Sequence, residues 1–294
     1  MKILLLGPNG QLGWELQRAL APLGELHCRD RHQGGDLADP QALATMVRAL
    51  RPDLIVNAAA HTAVDKAESE PALAECLNTT APAALALVAA ELGAGLLHFS
   101  TDYVFDGSGD QARDELAPTG PLSVYGRTKL AGEQAIAASG CRHLIFRTSW
   151  VYAARGGNFA RTMLRLAAER DRLTVINDQI GAPTGADLLA DVSAHALRRW
   201  LAQPELGGLY HVCASGLTSW HGYASHVIEW ARERGQPIKL APDQLLPIPT
   251  SAYPTPAARP LNSRLDTQRF QQAFGLRLPD WQGGVNRMLA EILG

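Results

Sequence analysis

The sequence has little cysteine and almost no excess of charge of either sign. Its four cysteines are far apart and include no C-x-x-C pair, which argues against a zinc knuckle and against a disulfide framework. Lys and Arg total 27 against 29 Asp and Glu, so the net charge is −2. No long run of one sign marks a nucleic-acid or membrane-surface partner. We therefore expect reduced thiols and no nucleic-acid partner.

Long hydrophobic runs are also absent. The first apolar run spans only 3–6 before Gly7, too short for the core of a signal peptide, and no stretch approaches the roughly 18 apolar residues of a membrane span. These absences predict a cytoplasmic protein with no membrane partner. Because 46% of the 294 residues are hydrophobic, the chain is long enough for one large domain with a smaller lobe.

The order of the predicted elements indicates an α/β fold. Short apolar runs alternate with segments of helical periodicity, the runs at 3–6, 54–56, 96–99 and 144–146 and the helices at 11–23, 40–50, 82–92 and 126–138. This alternation predicts a Rossmann-like, doubly wound parallel sheet over residues 1–150. Part of 151–185 is expected to return to that sheet, through a strand near 173–176.

The remaining residues, 151–294, are expected mainly to form a smaller C-terminal lobe that binds the substrate. Helical periodicity continues there at 186–201, 219–234 and 281–293. Six prolines between 242 and 260 predict an irregular loop.

Glycines follow the first predicted strand at Gly7, Gly10 and Gly13, with Gln11 and Leu12 opening the next helix. In this context glycine permits a tight turn, lets the backbone approach a pyrophosphate, and lets the helix pack close to the strand. The N–H groups and dipole at the helix start favour phosphate. The motif therefore predicts a dinucleotide site rather than a plain structural turn.

Asp30 follows the predicted second strand, where an acid is expected to hold the adenosine ribose. Arg29 and Arg31 flank it. Since a carboxylate favours NADH and a guanidinium favours the 2′-phosphate of NADPH, the segment predicts tolerance of both cofactors. A solvated charged loop is the alternative. Further along, Asp36 and Leu37 are candidates to reach the adenine.

Tyr125 and Lys129 form a Y-x-x-x-K pair. Residues four apart share one helix face, so the ammonium is placed to lower the pKa of the phenol and to bind the nicotinamide ribose. The chain has only four lysines, which makes a chance pairing rare. The alternative is a packed aromatic beside a surface charge.

Thr101 and Asp102 follow the predicted strand at 96–99, at the edge of the sheet where ligands bind in open α/β folds. Thr101 is a candidate to bond a substrate oxygen beside Tyr125. Asp102 is either a second acid/base and substrate contact or a cap on the next turn.

Together these segments resemble the extended short-chain dehydrogenase/reductases. Within that superfamily the sequence is most similar to the dTDP-4-dehydrorhamnose reductases, over nearly the whole chain, in the segments 61–68, 101–107, 146–152, 176–184 and 259–263. The resemblance implies reduction of the C4 keto group of dTDP-4-dehydro-L-rhamnose to dTDP-L-rhamnose by NADPH or NADH, the last step of dTDP-rhamnose biosynthesis.

The resemblance also implies roles for single residues. Tyr125 is the implied proton donor, Lys129 tunes it, and Thr101 holds the reacting oxygen. Implied cofactor contacts are Gly10, Gln11, Leu12, Asp30, Ala60, His61 and Thr62. Trp150 is an implied wall of the sugar pocket. Arg259 and Asn262 suit the diphosphate of the substrate, because a cation and an amide donor match its acceptors.

Other activities are weighed against this one. Sugar-nucleotide 4,6-dehydratases carry Glu after the Thr-Asp pair, and Tyr103 stands there instead, which argues against dehydration. A sugar-nucleotide 4-epimerase stays open on motifs alone. So does a non-catalytic, cofactor-binding subunit resembling the regulatory subunit of methionine adenosyltransferase, although Tyr125 and Lys129 favour catalysis.

Some members of the resembled family use Mg²⁺ at a subunit contact. Glu15, Asp187 and Glu291 lie in three predicted helices from which carboxylates suit such a hard cation, in a homodimer. The alternative is that they are solvated helix acids.

Overall fold

The structure is a computed structural model that describes all residues from Met1 to Gly294. Its strands are β1 (Lys2–Leu6), β2 (Glu25–Arg29), β3 (Leu54–Asn57), β4 (Gly95–Thr101), β5 (Arg142–Thr148), β6 (Val151–Tyr152), β7 (Leu173–Ile176), β8 (Ile180–Gly181), β9 (Thr184–Gly185), β10 (Gly208–His211), β11 (Thr218–Ser219) and β12 (Leu245–Ile248). Its helices are α1 (Gln11–Leu20), α2 (Pro40–Leu50), α3 (Val64–Ser69), α4 (Pro71–Glu75), α5 (Ala81–Leu92), α6 (Val124–Ala138), α7 (Phe159–Glu169), α8 (Ala186–Ala202), α9 (Trp220–Glu233), α10 (Gln268–Phe274) and α11 (Trp281–Leu293).

A six-stranded sheet in the order β10-β5-β4-β3-β1-β2 forms the centre, and all its neighbouring strands are parallel. Parallel strands buried on both faces need apolar side chains at every position. In β1, Ile3 and Leu5 enter the core beneath α1 and α8, while Leu4 and Leu6 enter the core beneath α2 and α5. The predicted Rossmann-like fold is confirmed.

The chain reverses its direction of travel across the sheet at β1, which lies between β2 and β3. At such a switch point the connections leave on opposite faces, so a crevice opens beyond the carboxyl ends of the strands. The glycine turn after β1 and the segment after β3 line this crevice. The fold therefore brings the two predicted cofactor segments together.

One predicted strand of the main sheet is wrong. β7 pairs in parallel with β12 in a separate two-stranded sheet, and the segment that returns to the main sheet is α8 followed by β10, beyond residue 185. The apolar residues of β7 pack into small satellite clusters instead of the main core: Leu173 packs with Ile228 and Leu240, and Val175 packs with Met163 and Ala224.

The proline-rich stretch is also more regular than predicted, since β12 lies within it. Pro247 is accommodated because β12 pairs only with β7 and is otherwise an edge strand, where a missing N–H donor is tolerated. The rest of the lobe is built on α7, α9 and α11, whose core includes Tyr223, Val227 and Trp281.

One helical run, Pro71–Leu92, is long and apolar enough to cross a membrane by length and composition alone. Its later half, α5, places Leu85, Ala86 and Ala89 in the core against the central sheet. Packing in the fold therefore accounts for its apolar character.

Candidate active site

The turn between β1 and α1 depends on glycine. Gly7 has a φ of +75°, and a Cβ on it would lie 2.9 Å from the backbone nitrogen of Ala59. A Cβ on Gly13 would overlap the carbonyl oxygen of Gly7. Gly10 stands at the N-cap of α1 in extended conformation with no side-chain cap, so the first N–H groups of α1 stay available to an acceptor. This geometry fits a pyrophosphate.

The segment 155–157 closes over the start of α1. The side-chain amide of Gln11 donates to the carbonyl oxygen of Gly157 at 2.8 Å, and the guanidinium of Arg155 lies 3.8 Å from the centre of the Trp14 ring. The Gln11 side chain is occupied by this hydrogen bond, and the Leu12 side chain packs against the core. Both residues can therefore offer the crevice only their backbone N–H groups.

Asp30 follows β2 directly and is tied to the glycine turn. The side-chain amide of Asn9 donates to Asp30 Oδ2 at 3.0 Å, and the backbone N–H of His32 donates to Oδ1 at 2.9 Å. Arg29 donates to the carbonyl oxygen of Cys28. Nε of Arg31 contacts the His32 ring. The structure thus keeps one carboxylate and two guanidinium groups at the predicted ribose position.

Asp36 and Leu37 differ in what they offer a cofactor. Asp36 accepts from the backbone N–H of Ala38 at 2.9 Å and remains partly exposed. The Leu37 side chain is buried in the core beside Leu43. Because the apolar surface of the Leu37 side chain is already covered, the predicted contact of this pair with adenine is left to Asp36 and to the Leu37 backbone.

The segment after β3, with Ala60, His61 and Thr62, is clamped by one buried side chain. Asn78, in the π-helical segment Cys76–Thr80, accepts from the backbone N–H of His61 at 2.8 Å and donates to its carbonyl oxygen at 3.1 Å. The same amide donates to Thr128 Oγ1 at 3.1 Å. This clamp holds the segment against α6.

Tyr125 is brought to the end of β4 by the close packing of α6. Ser123 caps that helix by accepting from the backbone N–H of Gly126 at 3.1 Å. A Cβ on Gly126 would overlap the carbonyl oxygen of Tyr103, so only glycine allows this approach. The rings of Tyr103 and Tyr125 meet edge to face at 5.5 Å. The fold therefore places Tyr125 beside Thr101.

Burial raises the pKa of Tyr125 to about 12. A hydrogen bond with Thr101 lowers this pKa, and the nearby Asp102 carboxylate raises it further. The phenol is therefore fully protonated at neutral pH. A protonated hydroxyl at this position is suited to give a proton to a substrate oxygen.

Lys129 lies on the same face of α6 but bonds elsewhere. Its Nζ donates to the carbonyl oxygen of Phe99 at 2.6 Å and lies 3.1 Å from Nε2 of His98. Burial lowers the pKa of Lys129 to about 8, while Glu133 opposes that shift. The predicted lowering of the Tyr125 pKa by Lys129 is not seen, because burial of the phenol dominates and Lys129 is bonded to β4.

Asp102 is buried just beyond Thr101 and connects the sheet edge to the lobe. It accepts hydrogen bonds from Ser263 Oγ and, at 3.1 Å, from Thr101 Oγ1. Burial raises the pKa of Asp102 to about 6, although both hydrogen bonds lower it. Asp102 thereby orients the Thr101 hydroxyl, whichever further part it has in binding.

Trp150 follows β5 with a φ of +49°, which is rare for a bulky residue. Its ring stacks on Trp220 at a centroid distance of 3.7 Å, and a Cβ on Gly181 would lie 2.8 Å from it. The Trp220 indole donates to Gln179 at 3.0 Å. Such strain held by packing is common at functional sites. The motifs gave no signal for Trp220.

Arg259 pairs with Asp65 of α3 through two hydrogen bonds, of 3.0 and 2.7 Å, joining the lobe to the first half of the chain. The hydrogen bond from Arg259 holds the pKa of Asp65 below its ordinary value. The Arg259 side chain stays 20% exposed.

Asn262 is placed differently from the prediction. Its amide nitrogen donates to the carbonyl oxygens of Ser108 and Gln111, at 3.3 and 2.8 Å, and its amide oxygen accepts from Arg264. The side chain is buried, and both of its donors are used. This placement argues against the predicted donation from Asn262 to the substrate, because the residue instead orders its loop.

The three candidate metal ligands lie near one another but do not form a metal centre within the chain. Burial raises the pKa of Glu15, Arg18 lowers it, and the charges of Asp187 and Glu291 raise it further. Asp187 pairs with Arg287 at 3.4 Å. No group of three or more potential ligands is arranged to hold a metal ion. A single chain therefore does not fit the predicted Mg²⁺.

Two polar residues behind Lys129 were missed by the sequence reasoning. Asn57 ends β3 and His98 stands opposite it in β4, both fully buried, with their side chains 3.1 Å apart. A histidine inside an otherwise apolar central strand was the available signal, since a buried polar group needs specific partners.

Comparison with known proteins agrees with this geometry. The family model described as the RmlD substrate binding domain matches residues 1–293. A dTDP-4-dehydrorhamnose reductase of Escherichia coli K12 is 60% identical over 295 residues, covering 99% of this chain and 98% of the relative. A crystal structure of such a reductase from Clostridium acetobutylicum matches with a TM-score of 0.89 and 33% identity, covering 100% of both chains. One from Bacillus anthracis, in complex with NADP, has the same TM-score and identity and covers 99% of this chain and 100% of that one.

Proposed function

The chain belongs to the RmlD substrate-binding-domain family, and from this we propose that it reduces the C4 keto group of dTDP-4-dehydro-L-rhamnose to dTDP-L-rhamnose with NADPH or NADH. It is a sugar-nucleotide reductase that completes dTDP-rhamnose biosynthesis. The observation that carries the proposal is the placement of Thr101 and protonated Tyr125 together at the carboxyl edge of the sheet, the same edge at which the glycine turn follows β1.

The chemistry follows from these positions. A nicotinamide cofactor supplies the hydride that C4 of the sugar accepts. As negative charge develops on the C4 oxygen, Tyr125 donates its phenolic proton to it. The single O–H of Thr101 donates to Asp102 in this structure, so it holds the C4 oxygen by turning from Asp102 to that oxygen. Arg259 provides positive charge for the substrate diphosphate, and Trp150 with Trp220 provides an apolar wall.

A coupled assay tests the proposal. With purified protein, NADPH and dTDP-4-keto-L-rhamnose, we expect absorbance at about 340 nm to fall in proportion to the dTDP-L-rhamnose formed, as measured by NMR. Tyr210 of the edge strand β10, whose hydroxyl donates to the carbonyl oxygen of Leu206, offers a matched control: Tyr210→Phe keeps the rate and Tyr125→Phe does not.

Each remaining candidate activity predicts a different result in this assay. A 4-epimerase would retain its nicotinamide and convert C4 stereochemistry with no net oxidation. A cofactor-binding regulatory subunit would bind NADPH and leave the sugar unchanged. Either result would overturn the proposed reduction.

The compartment and assembly are finer parts of the proposal. We expect a cytoplasmic enzyme, consistent with four unpaired cysteines, that forms a homodimer. Since one chain does not hold Mg²⁺ by itself, a shared ion requires Glu15, Asp187 and Glu291 from two chains. Sedimentation with Mg²⁺ and with EDTA tests this. If EDTA leaves the mass of the assembly unchanged, Mg²⁺ does not hold the dimer together.

A further inference from the structure

His98 occupies the centre of β4 between two side chains that differ in what they can donate. Its Nδ1 lies 3.1 Å from the amide nitrogen of Asn57, and its Nε2 lies 3.1 Å from Nζ of Lys129. Only 1% of His98 and 2% of Lys129 is exposed, so water does not complete these contacts. The protons in this chain of contacts must therefore be shared among the protein groups themselves.

The orientation of Asn57 is fixed by a third contact. The backbone N–H of Ala59 donates to the amide oxygen of Asn57 at 3.2 Å, which leaves the amide nitrogen facing His98. An amide nitrogen only donates. Nδ1 of His98 must consequently accept, and a neutral ring then carries its proton on Nε2.

That proton points at Lys129. An ammonium group has three donors and no lone pair, so it cannot accept from Nε2–H. A neutral amine satisfies every group: it accepts from Nε2–H of His98 and donates to the carbonyl oxygen of Phe99 at 2.6 Å. Burial holds the pKa of His98 well below its ordinary value, so the ring itself stays neutral.

We propose that His98 is a positioning residue whose tautomer, imposed by Asn57, disfavours the ammonium form of Lys129 and so sets the pH range in which Lys129 can act. The effect on turnover rests on the proposed function, whereas the tautomer does not.

The other charges near Lys129 do not cancel this effect. Glu133, one turn further along α6, favours the ammonium, but Arg147 of β5 binds its carboxylate through bonds of 2.6 to 3.1 Å. Tyr125, one turn earlier, is a neutral phenol. The carboxylate of Asp102 is occupied by Ser263 and Thr101.

The first experiment reads the tautomer directly in the wild-type protein. Long-range ¹H–¹⁵N NMR distinguishes protonated from unprotonated imidazole nitrogens, and the His98 signals are those missing from His98→Gln. We expect Nε2 protonated and Nδ1 unprotonated without titration between about pH 6 and 9. The opposite tautomer, or an imidazolium, overturns the proposal. If His98→Gln does not fold, the His98 ring signals are assigned in the wild-type protein by through-bond correlation to the His98 backbone.

The second experiment measures the consequence for Lys129. In His98→Gln the amide oxygen can accept from the ammonium, so the loss of kcat/KM at high pH should move upward by about one pH unit. His143→Gln, at a partly buried histidine of β5, is the matched control and should leave the profile in place. A uniform loss of rate with an unmoved profile indicates a merely structural His98 and contradicts the proposal.

The same upward shift should appear in the pH dependence of the Kd for NADPH, measured by nicotinamide fluorescence without any sugar. If the tautomer and this shift are observed but no sugar is reduced, the proposed function fails while the role of His98 stands. If the sugar is reduced but the pH shift is absent from both measurements, the role of His98 fails while the proposed function stands.

Discussion

Tyr125 gives the sharpest expectation for a single side chain. Tyr125→Phe keeps the ring that packs edge to face on Tyr103 and deletes only the proton donor. Loss of a general acid should lower kcat by about 10²- to 10⁴-fold. The Kd for NADPH should not change, because the glycine turn and Lys129 are intact. Stopped-flow turnover and fluorescence titration measure the two quantities, and a near wild-type kcat would remove Tyr125 from its role.

Lys129→Met should behave differently from Tyr125→Phe. The resemblance gives Lys129 a ribose contact, whereas the structure shows no effect of Lys129 on the pKa of Tyr125. Its loss should therefore raise the Kd for NADPH by about tenfold or more, and lower kcat because the nicotinamide is positioned less well. Methionine fills similar volume without a charge, which keeps the packing around His98. Should the variant bind NADPH as tightly as wild type, Lys129 does not contact the cofactor.

Cofactor choice depends on the opposing charges at the end of β2. Asp30 repels a 2′-phosphate, while Arg29 and Arg31 attract it, so we expect kcat/KM for NADPH and NADH to differ by less than about 100-fold. Asp30→Asn should shift the ratio toward NADPH and Arg31→Ala toward NADH, each by about tenfold. Steady-state kinetics with both cofactors check this, and equal ratios in all three proteins would mean that the ribose contact is misplaced.

The sequence predicts these residues unequally, for a physical reason. Tyr125, Lys129 and Thr101 could be proposed from the sequence because the proposed chemistry needs those residue types at the end of a strand and on one face of a helix. Asn262 also has a suitable chemical type, but its amide bonds depend on a loop path that spacing does not specify. The pairing of His98 with Asn57 depends on the register between β3 and β4, which neither strand encodes alone.

At the level of elements, the strands buried on both faces are the predictable ones. β1, β3, β4 and β5 are central and read as continuous apolar runs. β10 is an edge strand that includes Gly208 and His211, and so lacks that pattern. β7 carries an apolar pattern but finds a partner in β12, because short strands of similar composition do not specify which sheet they join.

The position of α6 relative to the segment Cys76–Thr80 gives a test at this level. A Cβ on Gly132 of α6 would overlap the carbonyl oxygen of Asn78, a backbone atom that cannot move aside freely. Gly132→Ala should therefore destabilise the protein by about 1–3 kcal/mol. Gly283 of α11 has no atom within 4 Å of such a Cβ, and Gly283→Ala should stabilise by up to about 1 kcal/mol.

Urea unfolding of both glycine variants measures these free energies. The helix propensity of alanine is the same in both, so the difference in sign isolates the contact between α6 and Asn78. If both substitutions stabilise the protein, α6 lies further from the segment Cys76–Thr80 than the structure shows. The hydrogen bonds between Asn78 and the His61 backbone would then hold that segment less firmly against α6.

For the molecule as a whole, the two halves of the chain share one core. α8 packs on α1, β10 completes the sheet beside β5, and about half of the buried residues in the larger core cluster lie beyond residue 185. The predicted division at residue 150 therefore does not separate two folding units. The pair of Asp65 with Arg259 adds a polar link between the halves.

This shared core predicts that the N-terminal half does not fold alone. The chain can be divided between Gly156 and Gly157, which are exposed in a loop. A fragment of residues 1–156 leaves one face of its sheet without α8, and it should show no cooperative unfolding and no NADPH binding. Mixed with residues 157–294, it should regain both, because the missing helix and edge strand are restored. Circular dichroism during urea titration and NADPH fluorescence follow the two properties. Cooperative unfolding and cofactor binding by the first fragment alone would show instead that the sheet is complete without β10.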